Sequence, residues 1–350
     1  MSLRFILLYG VSLFLCLNTL KAQNQIFITD ADLLGDSTYS WTSDNEYIID
    51  GLVYLESGGV LNIEAGTVIR GRNSLDISTG DETSALIITR GAQIFAEGTP
   101  QQPIIFTAEN DDLTDPADFL PVDVGEWGGL LLLGSATIAR IGGFANVEGF
   151  DISDDRNTYG GTDDTDNSGT LRFVSIRHAG ASASPGNELN ALTLAGVGSG
   201  TTIDYLEVFA AEDDGIEFFG GAVNAYHLVA AYCQDEAFDI DEGYRGVGQF
   251  WLGVDPRNRL LEIDGARPDE QAPFSRPNLA NLTLIAGATE AQIDGPGKII
   301  FRDNAGGFLR NSVIINARER GIAIENRDDA VDDDSRARLG AEELVVSSNY

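Results

Sequence analysis

The chain has 350 residues, with 22 basic and 55 acidic side chains and a formal net charge of −33. A field this negative repels phosphate backbones and argues against nucleic acid as a partner, while 43% hydrophobic content argues for a real core over wholesale disorder. Two cysteines exclude a disulfide scaffold and a multi-thiolate metal site.

Residues 1–22 read as a secretory signal peptide. Arg4 gives the positive start, Phe5 to Leu17 an apolar run too short to span a bilayer, and Leu20-Lys21-Ala22 a cleavage site before Gln23. Cys16 lacks the small preceding residues that lipoprotein processing needs. Cleavage leaves Cys233 as the single thiol, so no intrachain disulfide can form. No later apolar run is long enough for a transmembrane segment. The expected location is therefore secreted, extracellular or on the outer cell surface, with the periplasm as the other choice.

Residues 23–46 form a lead-in. From 47 to 350 the texture is uniform: short β-rich runs such as Val60-Leu61-Asn62-Ile63, Ala85-Leu86-Ile87-Ile88 and Leu192-Thr193-Leu194, separated by Gly, Asn and Asp. Helical periodicity is absent, so the chain reads as all-β. Repetition selects among all-β architectures. Ile203 to Gly221 is echoed by Ala225 to Gly243 at an offset of 22 residues, matching Leu206 with Leu228, Asp213 with Asp235, Glu217 with Asp239 and Gly221 with Gly243. A period in the low twenties is one coil of a parallel β-helix, each coil stacking roughly 4.8 Å above the last. Alternation then sends Leu206, Val208, Ile216, Phe218, Phe238 and Ile240 inward and Glu217 and Asp239 outward. Ile216 stacks on Phe238, Phe218 on Ile240 and Tyr205 on His227. A weaker echo follows at 320–326. The stretches 109–123, 150–168 and 245–277 read as loop insertions leaving the solenoid, of the kind that flank binding clefts.

Three passages look like the opening coils of a right-handed parallel β-helix: Gly58-Gly59-Val60-Leu61-Asn62-Ile63-Glu64-Ala65-Gly66-Thr67-Val68-Ile69, then Gly91-Ala92-Gln93-Ile94-Phe95-Ala96-Glu97-Gly98-Thr99, then Pro103-Ile104-Ile105-Phe106-Thr107. Gly125-Glu126-Trp127-Gly128-Gly129-Leu130 resembles the coil that follows. With Tyr159-Gly160-Gly161-Thr162, Asn167-Ser168-Gly169-Thr170-Leu171 and Asp213-Asp214-Gly215-Ile216-Glu217-Phe218-Phe219-Gly220-Gly221, the chain over roughly 47–330 resembles secreted, surface-associated β-helix proteins of Gram-negative bacteria, with the pectin-lyase-like fold. The resemblance implies the fold and brings no agreed activity. Such proteins often end in a secretion-sorting domain, and none is evident up to Tyr350.

The chemistry-bearing candidates are acidic. Asp213, Asp214 and Glu217 lie one coil from Asp235, Glu236 and Asp239, with Asp241 and Glu242 close by; stacking places matched carboxylates roughly 5 Å apart. Three readings stay open: a solvated face whose aspartates cap turns, a calcium site, or a catalytic pair for glycoside hydrolysis. The paired aspartates look like those of β-helical polygalacturonases. However, the Asn-Thr-Asp, Gly-His-Gly and Arg-Ile-Lys elements of that family are missing. A lyase would need calcium and a basic residue, for which Arg172, Arg177 and Arg245 are candidates. Asp164-Thr165-Asp166-Asn167-Ser168-Gly169 matches the first half of a calcium loop, with Asp164, Asp166 and Ser168 as ligands. Asp328-Asp329 and Asp332-Asp333-Asp334 read as a solvated loop. His178 reads as a strand-end polar group, Cys233 as a buried filler and Trp127 as core. Trp251 reads as a sugar-stacking platform beside Asp241 and Glu242. No motif for a nucleotide or redox cofactor occurs. The expectation is a secreted or cell-surface β-helix protein that binds a polymer, polysaccharide or surface partner, with structural calcium. The alternative is a polysaccharide lyase or glycoside hydrolase using the stacked carboxylates.

Overall fold

The computed structural model describes residues 23–184, 187–287, 297–317, 321–327 and 334–350. Residues 1–22, read above as a signal peptide, and the acidic run 328–333 lie outside the described residues. The 22-residue offset becomes geometry in a nine-stranded parallel sheet: Leu52–Leu55, Ala85–Ile88, Gly129–Leu133, Leu192–Ala195, Ile216–Phe219, Phe238–Asp241, Leu261–Asp264, Ile299–Arg302 and Ile322–Ile324. Each strand pairs with the next in chain order, one coil apart. A seventeen-stranded sheet supplies the other two faces of the coil. It folds along a corner, because residues at equivalent positions take the left-handed conformation: Phe173, Tyr205, His227, Phe250, Asn281 and Asn311, with φ from 49° to 62°. The chain is a right-handed parallel β-helix.

The register is the one the repeat demands. Leu206 pairs with Leu228 and Val208 with Ala230; Ile216 pairs with Phe238, Glu217 with Asp239 and Phe218 with Ile240. The inward side chains Leu206, Val208, Ile216, Phe218, Phe238 and Ile240 are fully buried and belong to one continuous core that runs from Ile28 to Leu344. Trp127 joins it, as does Cys233, whose thiol burial pushes up to about 12. The repeat glycines also have a cause. Gly221 and Gly243 adopt φ of 80° and 84°, and a Cβ on Gly221 would lie 2.4 Å from the Val197 carbonyl oxygen. Gly221→Ala is expected to cost about 2 kcal/mol, read as a lower urea midpoint.

Segment 245–277 departs from the expected loop. Val247–Gln249, Leu252–Val254 and Leu261–Asp264 carry one whole coil, and only 265–277 leaves it. The strands are three or four residues long and interrupted by glycines, so the β signal is weak. Gly248 is required there: its Cβ would sit 2.4 Å from Trp251 Cζ2. The lead-in already stacks, Asn24–Ile28 on Asn45–Ile49 and Thr38–Trp41 on Val60–Ile63. Segment 109–123 carries no strand, and its Phe119 rests 4.9 Å from the His178 ring. Residues 134–160 fold back over the nine-stranded sheet through an antiparallel pair, Ala145–Asn146 with Thr158–Tyr159. Ile138, Val147, Phe150 and Tyr159 from this flap bury the outward side chains Tyr54, Ile87, Leu131 and Leu133 in a second apolar cluster.

Candidate functional site

The outer face of the nine-stranded sheet changes chemistry along the solenoid. Its first outward column runs Tyr54, Ile87, Leu131, then Thr193, Glu217, Asp239 and Glu262. The neighbouring column runs Leu133, Ala195, Phe219, Asp241, and Asp264 pairs with Arg302 further on. The preceding turns add Asp213 and Asp214, then Asp235 and Glu236. Outward on a bare sheet would mean solvated. Here the loops cover the face: Asp214 is 5% exposed, Glu217 8%, and Asp241 and Glu242 1% each.

Guanidinium groups compensate part of this burial. Arg259 lies 2.9 Å from Glu236 and 2.5 Å from Glu262, and Arg302 pairs with Asp264 at 2.8 Å and with Glu262. Arg267 reaches Asp241 and Arg140 reaches Glu242, each at 3.0 Å, while the Tyr159 hydroxyl donates to Glu242 at 2.9 Å. Carboxylates still outnumber cations. Burial, then Glu262, pushes Glu236 up to about 9. Burial, then Asp241, pushes Glu242 up to about 7, and burial pushes Asp264 up to about 7 against the pull of Arg302.

Asp214, Glu217 and Asp239 stand apart from that network. Among the described residues none of them has an ion-pair partner. Asp214 accepts from the Glu236 backbone N–H at 2.8 Å, and Asp239 from that of Ile240 at 2.7 Å. Burial and then neighbouring acids hold all three well above the ordinary carboxylate range: Glu236 acts on Asp214, Asp241 on Glu217, and Glu217 on Asp239. One oxygen from each lies within 4.8 Å of the others, and Asp213, Asp214 and Asp235 form an overlapping trio. Two ligands about 2.4 Å from one ion are at most about 4.8 Å apart, so the first trio meets the distance limit for sharing one cation. Asn190 supplies an independent sign. It is 6% exposed and its Nδ2 donates to Glu217, yet its Oδ1 has no partner. A buried amide oxygen without a donor is costly and is itself a hard-cation ligand.

Other expected sites disperse. Asp164 accepts from the Thr137 backbone and pairs with Arg245 at 3.0 Å, and Ser168 donates to Asp166 at 3.3 Å. Protein groups engage those oxygens at Asp164, Asp166 and Ser168. Trp251 is 1% exposed, its Nε1 donating to the Ala225 carbonyl and its ring packed against Phe218 and Phe238. Being core, it offers no platform to a sugar. Asp241 and Glu242, sealed beneath Arg267 and Arg140, cannot contact a ligand directly. Arg172 and Arg177 stand on the seventeen-stranded sheet, paired with Asp204 and Glu207, and bring no base to the acidic trio.

The Tyr205–His227 stack is present at 4.2 Å and extends further: Phe173 lies 4.7 Å from Tyr205, and Phe250 5.1 Å from His227. His227 Nδ1 faces Asp204 at 2.8 Å. Beside this ladder run two outward polar columns, Thr170–Thr202–Asn224 and Arg172–Asp204–Tyr226–Gln249. Sequence reasoning missed Phe173, Phe250, Asn190, Glu262 and Asp264. Carrying the register one coil beyond Asp239 and Asp241 leads to Glu262 and Asp264; nothing local marks Asn190.

No curated protein and no solved structure matches the chain. A family does match, over nearly all of the described solenoid. The chain belongs to the pectate-lyase-like β-helix domain family, matched from residue 35 to residue 347.

Proposed function

We propose that this chain is an exported β-helix protein that binds polysaccharide outside the cytoplasm, with calcium as its structural ion. The mutual proximity of the Asp214, Glu217 and Asp239 oxygens, together with Asn190, whose Nδ2 reaches Glu217 and whose Oδ1 has no partner, carries the calcium reading. Family membership and the basic, apolar and polar start of residues 1–22 support polysaccharide and export. Burial of Asp214 and Glu217, with Asp239 half-buried beside them, favours holding an ion over cutting a polymer, because a substrate bond must reach its catalytic carboxylates.

The polymer lies along the aromatic corner. Tyr205 is 41% exposed and Phe250 49%, next to amide, hydroxyl and charged groups repeated once per coil. A long glycan matches a linear array of polar groups flanked by rings. The test is affinity electrophoresis against a panel of neutral and acidic polysaccharides, with and without calcium. At least one polymer is expected to retard the protein, and the Tyr226→Ala, Phe250→Ala double variant to weaken that retardation at least tenfold. No retardation by any polymer, or retardation indifferent to the double variant, overturns this placement. Release of reducing ends or unsaturated products would instead support the enzymatic alternative.

A further inference from the structure

A groove of about 560 Å³ lies over the flap, away from the aromatic corner. Arg140, Ile141, Phe144 and Ile152 of the flap line it, facing Arg267 and Pro268 of the 265–277 loop. The two loops are locked together: the Arg267 N–H donates to the Ala139 carbonyl, and the Ala139 N–H to the Glu242 carbonyl. The groove is therefore built on fixed backbone.

Its chemistry is unusual for this chain. Ile141 is 77% exposed, Ile152 79% and Phe144 50%, an apolar concentration of the kind that marks interaction surfaces. Arg140 and Arg267 are each held through Nε by one buried carboxylate, and neither has a second ion-pair partner among the described residues. Both side chains are partly exposed. In a chain of net charge −33, two fixed guanidinium groups flanking aliphatic walls select an anionic, partly apolar ligand. A glycan needs hydrogen-bond partners along its whole length, and here Arg140, Asn146 and Arg267 alternate with the apolar side chains Ile141, Phe144, Ile152 and Pro268. A peptide also needs backbone partners. Ala145–Asn146, which lines the groove, pairs on one side with Thr158–Tyr159 and has no second strand neighbour among the described residues.

We propose that this groove docks an extended segment of a partner protein, in which carboxylates alternate with apolar side chains. The carboxylates meet Arg140 and Arg267, an apolar side chain enters between Phe144 and Ile152, and the backbone adds to the edge of Ala145–Asn146.

The test uses the full exported chain and three fluorescent synthetic decapeptides, alternating Asp-Leu, Ser-Leu and Lys-Leu, followed by fluorescence polarisation. The Asp-Leu peptide is expected to bind at least tenfold tighter than the other two, and more weakly as salt rises. Arg267→Ser and Ile152→Ser are each expected to weaken it at least tenfold. Ile152→Ser removes no buried charge partner, so it keeps the test decisive if Arg267→Ser loosens the sheet. Equal binding of the three peptides, or binding indifferent to Ile152→Ser, overturns the proposal. Competition at the groove by an oligogalacturonate, removed by Arg267→Ser, would assign the groove to a glycan instead. A dimer dissolved by Ile152→Ser in sedimentation would assign it to a second copy. Both outcomes overturn the peptide reading and leave the polysaccharide test at the aromatic corner unaffected.

Discussion

Millimolar calcium is expected to raise the thermal midpoint of the chain by roughly 8 °C over the chelated protein. A ligand at a thousand times its dissociation constant contributes about 4 kcal/mol, and a chain of this size gains roughly 2 °C per kcal/mol. The variants Asp214→Asn and Glu217→Gln separate the two ways of neutralising the trio. If an ion neutralises it, the amides remove ligand charge and most of the calcium-dependent rise. In chelator they relieve repulsion between buried acids, so the variants melt at or above the unaltered protein. The order of stabilities therefore reverses between the two conditions. If protons neutralise the trio and no ion displaces them, calcium changes nothing and the amides, isosteric with protonated acids, are nearly silent throughout. Differential scanning calorimetry with calcium and with chelator reads both outcomes. Absence of the reversal would remove the ion from the ladder.

Much of this ladder is legible in the amino-acid sequence, because the solenoid turns sequence offset into vertical distance. Ile216, Glu217 and Phe218 meet Phe238, Asp239 and Ile240 by the repeat alone, and alternation gives their sides. What the repeat does not reveal is what covers the sheet. Glu217 points outward as expected, yet it is buried with Asn190 donating to it, and Asp241 in the neighbouring column is buried beneath Arg267 of the 265–277 loop. No local pattern encodes where a loop between coils comes to rest. The same blindness misplaces Trp251. An indole between Phe250 and Leu252, in a stretch with four prolines, reads as exposed, and only the small Gly248 opposite it shows that the ring turns inward. Asn190 escapes for a simpler reason: its value lies in an amide oxygen left without a donor, which is a property of packing and not of spacing.

Freed of divalent cations, the folded chain is expected to lose stability as pH rises from about 5 to about 9. The sign follows from the raised carboxylates. Glu236 moves from an ordinary value of 4.5 to about 9, Glu242 from 4.5 to about 7, and Asp264 from 3.8 to about 7. The folded state thus binds more protons than the unfolded chain between those limits, and stability falls with pH wherever that holds. The contribution is fully present below the unfolded values. It disappears as pH passes through about 7 for Glu242 and Asp264 and about 9 for Glu236. At ~1.4 kcal/mol per pH unit, ionising Glu236 costs on the order of 6 kcal/mol, because burial desolvates it and Glu262 repels it, with Arg259 one cation shared between the two. Calcium acts on the neighbouring trio and competes with its protons, so its own stabilisation grows over the same range. The two effects oppose each other. Urea midpoints at pH 5, 7 and 9 should fall steeply in chelator and far less with calcium. A flat profile in chelator would mean that Arg140, Arg259, Arg267 and Arg302 already hold these carboxylates ionised without cost. Glu236→Gln would then destabilise the chain at every pH, whereas a protonated Glu236 makes that variant stabilising near pH 9 and silent near pH 5.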